Sequence, residues 1–284
     1  MEHLLKAAID AAMEAGKAIM EIYKSGDFGV ELKSDNSPLT LADQAAHHII
    51  EKHLTATDIP ILSEEGNHDD YSVRRKWEQL WVVDPLDGTK EFVKKTGEFT
   101  VNIALIKHNF PTMGVVLLPA LDILYFASAD KGAYKVKLDS DWSSQSNISL
   151  DKAEKLPLIS KNNKLQVVAS VSHLSRETEK FAELLENKYG ESDFVSVGSS
   201  IKICKVAEGT ADFYPRLGPT MEWDTAAGQA VAEAAGASFF NWKSKSRFGY
   251  NRKELLNDWF VVSGARFSAS EIVGLISEFE IQSL

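Results

Sequence analysis

The spacing of apolar residues changes twice along the chain, and these changes constrain the fold more than any other feature of the sequence. Over residues 4–23 the apolar side chains recur every three to four positions, which predicts an amphipathic helix. A second helix is predicted from Thr40 to Leu54. Its start, Thr40-Leu41-Ala42-Asp43, resembles a capping box in which Asp replaces the usual Glu or Gln, and Pro38 disfavours an earlier start.

After the second predicted helix the apolar residues form short runs bounded by turn-forming residues. Such runs predict strands at residues 59–62, 80–83, 99–106, 113–118 and 123–127. Apolar and polar residues alternate along part of the 99–106 run, which predicts an antiparallel strand with one buried and one exposed face. Gly132 and the polar run 138–164 break this pattern and mark a candidate domain boundary.

Beyond that boundary, strand and helix patterns alternate. The predicted strands are 165–171, 194–197, 211–214, 238–240 and 259–262, and the predicted helices are 177–185, 201–207, 225–235 and 269–279. The first half is therefore α+β and the second half α/β. We expect two domains, residues 1–150 and 151–284.

Composition excludes several classes of protein. With 31 basic and 41 acidic side chains the formal net charge is −10, and no block of basic residues offers a surface for nucleic acid. A phosphate ligand would need metal ions to reverse the local sign of the charge. No apolar run approaches the roughly 18 residues of a transmembrane helix. The single cysteine, Cys204, excludes an internal disulfide and fits a reducing compartment.

Three short segments carry the carboxylates that suggest chemistry: Ser63-Glu64-Glu65, Asp84-Pro85-Leu86-Asp87-Gly88-Thr89 and Trp223-Asp224-Thr225. The first two follow apolar strands, where loops project side chains from a rigid sheet. Alone, each has an ordinary explanation as a solvated pair, a proline turn or, for Asp224, a helix N-cap. Together, carboxylates brought to one place repel each other and need cations or protons, and such oxygen ligands suit Mg²⁺ or Mn²⁺.

The segment from Asp84 to Thr89, with Trp81 three residues ahead, and the segment Trp223-Asp224-Thr225-Ala226-Ala227-Gly228 resemble the two signatures of the inositol monophosphatase superfamily. The resemblance runs nearly end to end. Within that superfamily, the chain is similar to the bacterial 3′(2′),5′-bisphosphate nucleotidases of the CysQ type at residues 33–43, 62–65, 87–92, 97–104 and 198–202. The resemblance implies a two-domain, layered αβαβα sugar-phosphatase fold, with the active site where the two halves meet.

The resemblance also implies roles for individual residues. The metal ligands would be Glu64, Asp84, Asp87, Asp224 and the Leu86 carbonyl, holding two or three Mg²⁺ ions, with Mn²⁺ as an alternative and Li⁺ as an inhibitor. Asp35 and Thr89 would orient and deprotonate the attacking water, and Glu64 also counts as catalytic. The backbone around Gly88 and Thr89 would hold the scissile phosphate, beside the metal ligands Glu64, Leu86, Asp87 and Asp224.

The nucleotide contacts implied by the resemblance are Ser199, Lys202, Arg216 and His173. Each of the last three has a simpler alternative. Lys202 could be a solvated helix residue, Arg216 could pair with a carboxylate, and His173 could mark the entry to a helix.

The reaction implied is hydrolysis of the 3′-phosphate of adenosine 3′,5′-bisphosphate to AMP and phosphate, with the sulfated relative of that nucleotide as a second substrate. The role would be to clear a by-product of sulfate assimilation in the cytoplasm, without a nucleic-acid partner. Peripheral attachment to the inner membrane and the oligomeric state stay open. The alternatives are a sibling phosphatase acting on inositol monophosphate or fructose 1,6-bisphosphate, and a catalytically silent metal- or nucleotide-binding regulator.

Overall fold

The structure is a computed structural model that describes residues 2–32, 38–139, 142, 152–158, 164–169 and 175–282. The helices are α1 Glu2–Ser25, α2 Leu41–Thr55, α3 Tyr71–Arg74, α4 Thr89–Val93, α5 Arg176–Tyr189, α6 Ile201–Glu208, α7 Glu222–Ala234 and α8 Ala269–Gln282, with a short 3-10 turn at Pro119–Leu121. The strands are β1 Glu31–Leu32, β2 Pro38–Leu39, β3 Ile61–Ser63, β4 Gln79–Asp87, β5 Thr100–Lys107, β6 Phe110–Leu118, β7 Ile123–Ser128, β8 Gly132–Lys137, β9 Glu154–Lys155, β10 Leu165–Ala169, β11 Ser192–Ser196, β12 Phe213–Arg216, β13 Ser238–Asn241, β14 Ser246–Arg247 and β15 Phe260–Ser263.

A seven-stranded sheet with the order β3-β4-β5-β6-β7-β8-β9 forms the first half. Strands β3 and β4 are parallel, and every later pair is antiparallel. The sequence does not predict strand β8, because Gly132 interrupts the pattern of apolar residues. In the structure Gly132 has a φ of +91° and opens the strand directly after a turn, which is a position that glycine adopts without strain.

The central strands of this sheet are buried on both faces. Along β5, Val101, Ile103 and Leu105 join the core beneath α1 and α2, whereas Ala104 and Ile106 join the core beneath α7. The expectation that this strand exposes one face is therefore wrong. Helices cover both sides, so even Thr100 and Asn102, which produced the alternating pattern, are buried.

A six-stranded sheet with the order β11-β10-β12-β15-β13-β14 forms the second half. One of its faces packs through Val168 and Val262 against α6 and α7, and the other packs through Val167 and Val261 against α5 and α8. The layers are therefore α1 and α2, the large sheet, α6 and α7, the smaller sheet, and α5 and α8. This is the predicted αβαβα order, and the prediction of fold is confirmed. The predicted domain boundary near residue 150 falls on residues that the structure does not describe.

The start of α2 forms as its sequence predicts. The Thr40 side chain accepts a hydrogen bond from the Ala42 N–H at 3.2 Å, and the Asp43 carboxylate accepts one from the Thr40 N–H at 2.7 Å. The cap holds the Asp43 side chain in a buried position at the edge of the large sheet. In the described part of the chain, no helix is both long and apolar enough to cross a membrane.

Candidate active site

Three carboxylates from different elements converge where the two halves meet. Glu64 directly follows β3, Asp84 lies within β4, and Asp224 is the third residue of α7. Each offers one oxygen, and these three oxygens all lie within 4.8 Å of one another. The parallel pairing of β3 with β4 brings Glu64 close to Asp84, and the packing of α7 over the large sheet brings Asp224 to the same place.

An irregularity in the β4–β5 pairing shapes the turn that carries Asp84 and Asp87. Asp84 lies opposite Asn102 and Asp87 lies opposite Thr100, so three steps on β4 match only two on β5. Such a bulge re-aims side chains at the end of a strand. The Asp84 Oδ1 accepts a hydrogen bond from the Leu86 N–H at 3.0 Å, which fixes the turn around Pro85.

Burial, followed by the crowding of like charges, dominates the electrostatics of this cluster. The pKa of Asp84 is raised well above its usual value, first by burial and then by the charges of Glu64, Asp87 and Asp224. The pKa of Asp224 is raised well above its usual value too, again first by burial and then by Asp87. Crowded carboxylate oxygens are what a hard divalent ion such as Mg²⁺ binds, so the donor set fits that metal.

Asp224 is not the N-cap residue of α7, but its carboxylate completes the capping box from the third position of the helix. The N-cap position belongs to Met221, whose N–H donates to the Asp224 Oδ2 at 2.8 Å. The bond holds one carboxylate oxygen at the start of the helix. Trp223, the neighbouring residue, is buried and joins the core shared by the two sheets.

Asp87 faces the second half of the chain. Its Oδ2 accepts hydrogen bonds from the Ser199 hydroxyl at 2.8 Å and from the Ser200 N–H at 2.7 Å. The Leu86 carbonyl lies on the same turn and accepts a hydrogen bond from the Thr89 hydroxyl at 3.2 Å. Gly88 precedes α4 with a φ of +90°, and a Cβ there would come within 2.9 Å of the Glu98 carbonyl oxygen. Only glycine fits this turn.

The structure pairs the Thr89 hydroxyl with a carboxylate that the sequence did not single out. Thr89 Oγ1 lies 3.2 Å from Asp43 Oδ1, while the other oxygen of Asp43 is held by the cap of α2. Asp35, the predicted partner of Thr89, lies outside the described residues, and its role stays a prediction. The sequence predicts Asp43 only as a capping residue, because no local pattern connects α2 with the Asp84–Thr89 turn.

The predicted nucleotide contacts lie around a cavity that adjoins Asp87 and Asp224. Its wall includes Ser199, Lys202 and Arg216. His173 lies outside the described residues. The cavity is therefore lined both by carboxylates and by two cationic side chains.

Lys202 is buried, so its explanation as a solvated helix residue is wrong. Its Nζ donates to the Ser199 carbonyl at 2.7 Å and to the Val197 carbonyl at 3.1 Å, and it lies 5.6 Å from the centre of the Tyr214 ring. Burial lowers the pKa of Lys202 to about 8. The Arg216 guanidinium donates to the Pro219 carbonyl, while its buried Nε has no hydrogen-bond partner among the described residues.

An oxygen-only cluster of carboxylates beside a cavity with buried cationic groups, in this layered fold, is the arrangement of a metal-dependent phosphatase. The sequence profile of the Inositol monophosphatase family matches residues 1–277, and the chain belongs to that family. The family is Mg²⁺-dependent, and the resemblance to the family and to its CysQ-type branch is confirmed.

Individual relatives span nearly the whole chain. The 3′(2′),5′-bisphosphate nucleotidase CysQ of Shigella flexneri is 43% identical over 263 residues, covering 92% of this chain and 99% of the relative. The crystal structure of CysQ from Bacteroides thetaiotaomicron superposes with a TM-score of 0.83 at 48% identity, covering 93% of this chain and 97% of that one. The Thermotoga maritima IMPase, at 23% identity, shares the fold with a TM-score of 0.74 and covers 99% of both chains.

Proposed function

We propose that this protein is a Mg²⁺-dependent 3′(2′),5′-bisphosphate nucleotidase that converts adenosine 3′,5′-bisphosphate to AMP and phosphate. The observation that carries the proposal is the cavity, which joins the carboxylate cluster to two cationic groups, Lys202 and Arg216. A substrate with two phosphates could place one at the carboxylate cluster, through the metal, and the other at the cationic groups. The names of the relatives, which are nucleotidases at 43% identity over most of the chain, support the same substrate.

Glu64, Asp84 and Asp224 would hold the metal, with Asp87 and the Leu86 carbonyl on the adjoining turn. When bound, Mg²⁺ lowers the pKa of the attacking water and neutralises charge on the phosphoryl oxygens. The carboxylates would keep these ions at the junction of the two halves, where the scissile phosphate would meet the backbone of Gly88 and Thr89. Two or three ions and inhibition by Li⁺ are part of this proposal.

The proton of the attacking water would leave through Thr89. A threonine hydroxyl does not lose its own proton near neutral pH, so it acts only as a relay to a base that accepts from it. Asp43 lies within hydrogen-bond distance of that hydroxyl, with its second oxygen fixed by Thr40. We therefore assign the accepting carboxylate to Asp43, and Asp35 stays the candidate from the sequence.

Lys202 and Arg216 would bind the phosphate that is not cleaved. Two of the three N–H donors of Lys202 point to backbone carbonyls, which holds the ammonium group in place and leaves one donor for a ligand. The Arg216 Nε, without a partner among the described residues, is a second donor of fixed direction. Ser199 would add a hydroxyl on the same side. His173 is a further contact that we propose from the resemblance alone.

The biological role that goes with this activity is clearance of a by-product of sulfate assimilation in the cytoplasm. The sulfated relative of the substrate carries the same 3′-phosphate and is proposed as a second substrate.

A phosphate-release assay with three substrates tests the proposal directly. Adenosine 3′,5′-bisphosphate, inositol monophosphate and fructose 1,6-bisphosphate are compared at equal concentration, each with Mg²⁺ and with a chelator. We expect the nucleotide to give the highest kcat/KM and the chelator to remove activity on all three. A higher kcat/KM for either sugar phosphate would assign the enzyme to a sibling activity of the family, and no release from any substrate would indicate a silent regulator.

A further inference from the structure

We propose that Glu98 is a positioning residue that fixes the segment Val197–Lys202 for binding of the nucleotide. The inference rests on the proposed function, because it concerns how that substrate is held. Glu98 belongs to the first half of the chain, in the loop between α4 and β5, whereas the segment belongs to the second half. It is partly buried and does not line the cavity itself.

The Glu98 side chain makes a direct contact with this segment. Its Oε2 accepts a hydrogen bond from the Gly198 N–H at 2.8 Å. The two backbones are also pressed together, since a Cβ at Gly198 would lie 3.0 Å from the Glu98 carbonyl oxygen and 3.1 Å from the Glu98 Cβ. The contact therefore combines a charge-assisted hydrogen bond with a close approach that a larger residue at position 198 would disturb.

The segment needs such an anchor because its conformation is strained. Ser199 has a φ of +53°, in the left-handed region that non-glycine residues rarely adopt. This conformation lets the Ser199 hydroxyl reach Asp87 and the Ser199 carbonyl reach the Lys202 ammonium group. If the Gly198 N–H loses its acceptor, the segment can relax and both groups lose their defined positions.

Glu98 also sets the distance between this segment and the turn that carries the carboxylates. Its carbonyl oxygen abuts Gly88, where a Cβ would come within 2.9 Å, while its side chain holds Gly198. One residue thus contacts both the turn that carries Asp87 and the segment that holds Ser199 and Lys202. Thr100, two residues further along, adds hydroxyl contacts to Ser199 and Ser200 at 2.6 and 2.8 Å.

The test compares three variants of the full-length enzyme. Glu98→Ala removes the acceptor, Glu98→Gln keeps an oxygen that can accept from Gly198, and Glu183→Ala is a control on the exposed face of α5. KM and kcat are measured for adenosine 3′,5′-bisphosphate with Mg²⁺. The Kd of AMP is measured by calorimetry with Mg²⁺, which does not depend on turnover.

We expect Glu98→Ala to raise KM and the AMP Kd about tenfold, which corresponds to a loss of about 1.4 kcal/mol in binding free energy. We expect kcat to fall less than threefold. Glu98→Gln should return both constants to within about threefold of wild type, and Glu183→Ala should leave them unchanged. A merely structural role would lower thermal stability without this split or this rescue. Unchanged constants in Glu98→Ala, or a Gln variant as weak as the Ala variant, would overturn the inference.

Failure of the proposed function gives a different result. A wild-type enzyme that binds AMP but releases no phosphate from the bisphosphate would refute the nucleotidase activity. In that case, the series of AMP Kd values for Glu98→Ala and Glu98→Gln still supports or overturns the positioning role.

Discussion

Asp43→Asn should remove most of the activity while the fold and the metal ligands stay in place. The Thr89 hydroxyl lies 3.2 Å from Asp43 Oδ1, and it can pass on a proton only if a base accepts it. Asparagine has nearly the same shape, but its amide is not a base. We expect kcat to fall by about 10² to 10⁴-fold, the usual contribution of a general base, which is about 3 to 5 kcal/mol in the activation barrier.

The second role of Asp43, in the cap of α2, sets the size of the accompanying loss of stability. Its Oδ2 accepts hydrogen bonds from the Thr40 N–H at 2.7 Å and from the Thr40 hydroxyl at 2.5 Å. Loss of a cap costs about 0.5 to 2 kcal/mol in the free energy of unfolding. In a chain of this size, about 1 kcal/mol lowers Tm by about 2 to 4 °C. Thr40→Val is the matched control, because it weakens the cap but keeps the Asp43 carboxylate.

The assay measures phosphate release at saturating substrate and Mg²⁺, beside a thermal melt of each variant. Thr89→Ala should lower kcat as much as Asp43→Asn, and the double variant should be little worse than either single one, because both interrupt one proton path. Losses that multiply, or a Thr40→Val enzyme as slow as Asp43→Asn, would refute the reasoning. Asp35→Asn is measured alongside, and a loss of kcat there but not in Asp43→Asn would assign the proton to Asp35.

Four further predictions concern the metal, lithium, the substrate and pH. A chelator should abolish activity and Mg²⁺ restore it, and Asp87→Asn should lower turnover by orders of magnitude; full activity in metal-free buffer would contradict this. Li⁺ should lower the rate in an uncompetitive or noncompetitive manner in steady-state kinetics, so indifference to Li⁺ counts against the assignment. Lys202→Ala and Arg216→Ala should raise KM for the nucleotide more than they lower kcat. Losses of the same size on a small sugar phosphate would mean that these residues support the fold or the metals instead. The pKa values of Asp84 and Asp224 are higher in the folded chain than the usual value of about 3.9, so protonation stabilises the fold and this stability is lost as pH rises through the raised values. Thermal melts in a chelator should show Tm falling over that range, less so in Asp84→Asn or with Mg²⁺, and an equal fall in all three samples would contradict the assignment.

The order of the main helices and strands could be predicted from the sequence, because each has a clear apolar period. The period does not show which elements pack against each face of a strand or helix. Strand β5 has a partly alternating pattern and is nevertheless buried on both sides, since Thr100 and Asn102 form hydrogen bonds with Ser200 inside the protein. The polar residues that suggested an exposed face are thus part of the contact between the two halves.

The carboxylates of the site could be predicted for a related reason. Glu64, Asp84 and Asp87 stand at the ends of apolar strands, where the sequence itself shows that they leave the core. Asp43 could not be found in this way, since its position in a capping box already accounts for it. The burial of Lys202 could not be predicted either. The sequence of α6 is amphipathic, but this pattern does not show which half of the chain the helix packs against.

Glu98 and Gly198 show why specificity is harder to predict than chemistry. The metal ligands must be carboxylates, so their residue type and their place after strands identify them in a single sequence. A positioning residue needs only an oxygen at the correct distance from one N–H, and many residue types on many loops could supply it. The pair is separated by 100 positions, and only the packing of the two sheets makes it a contact.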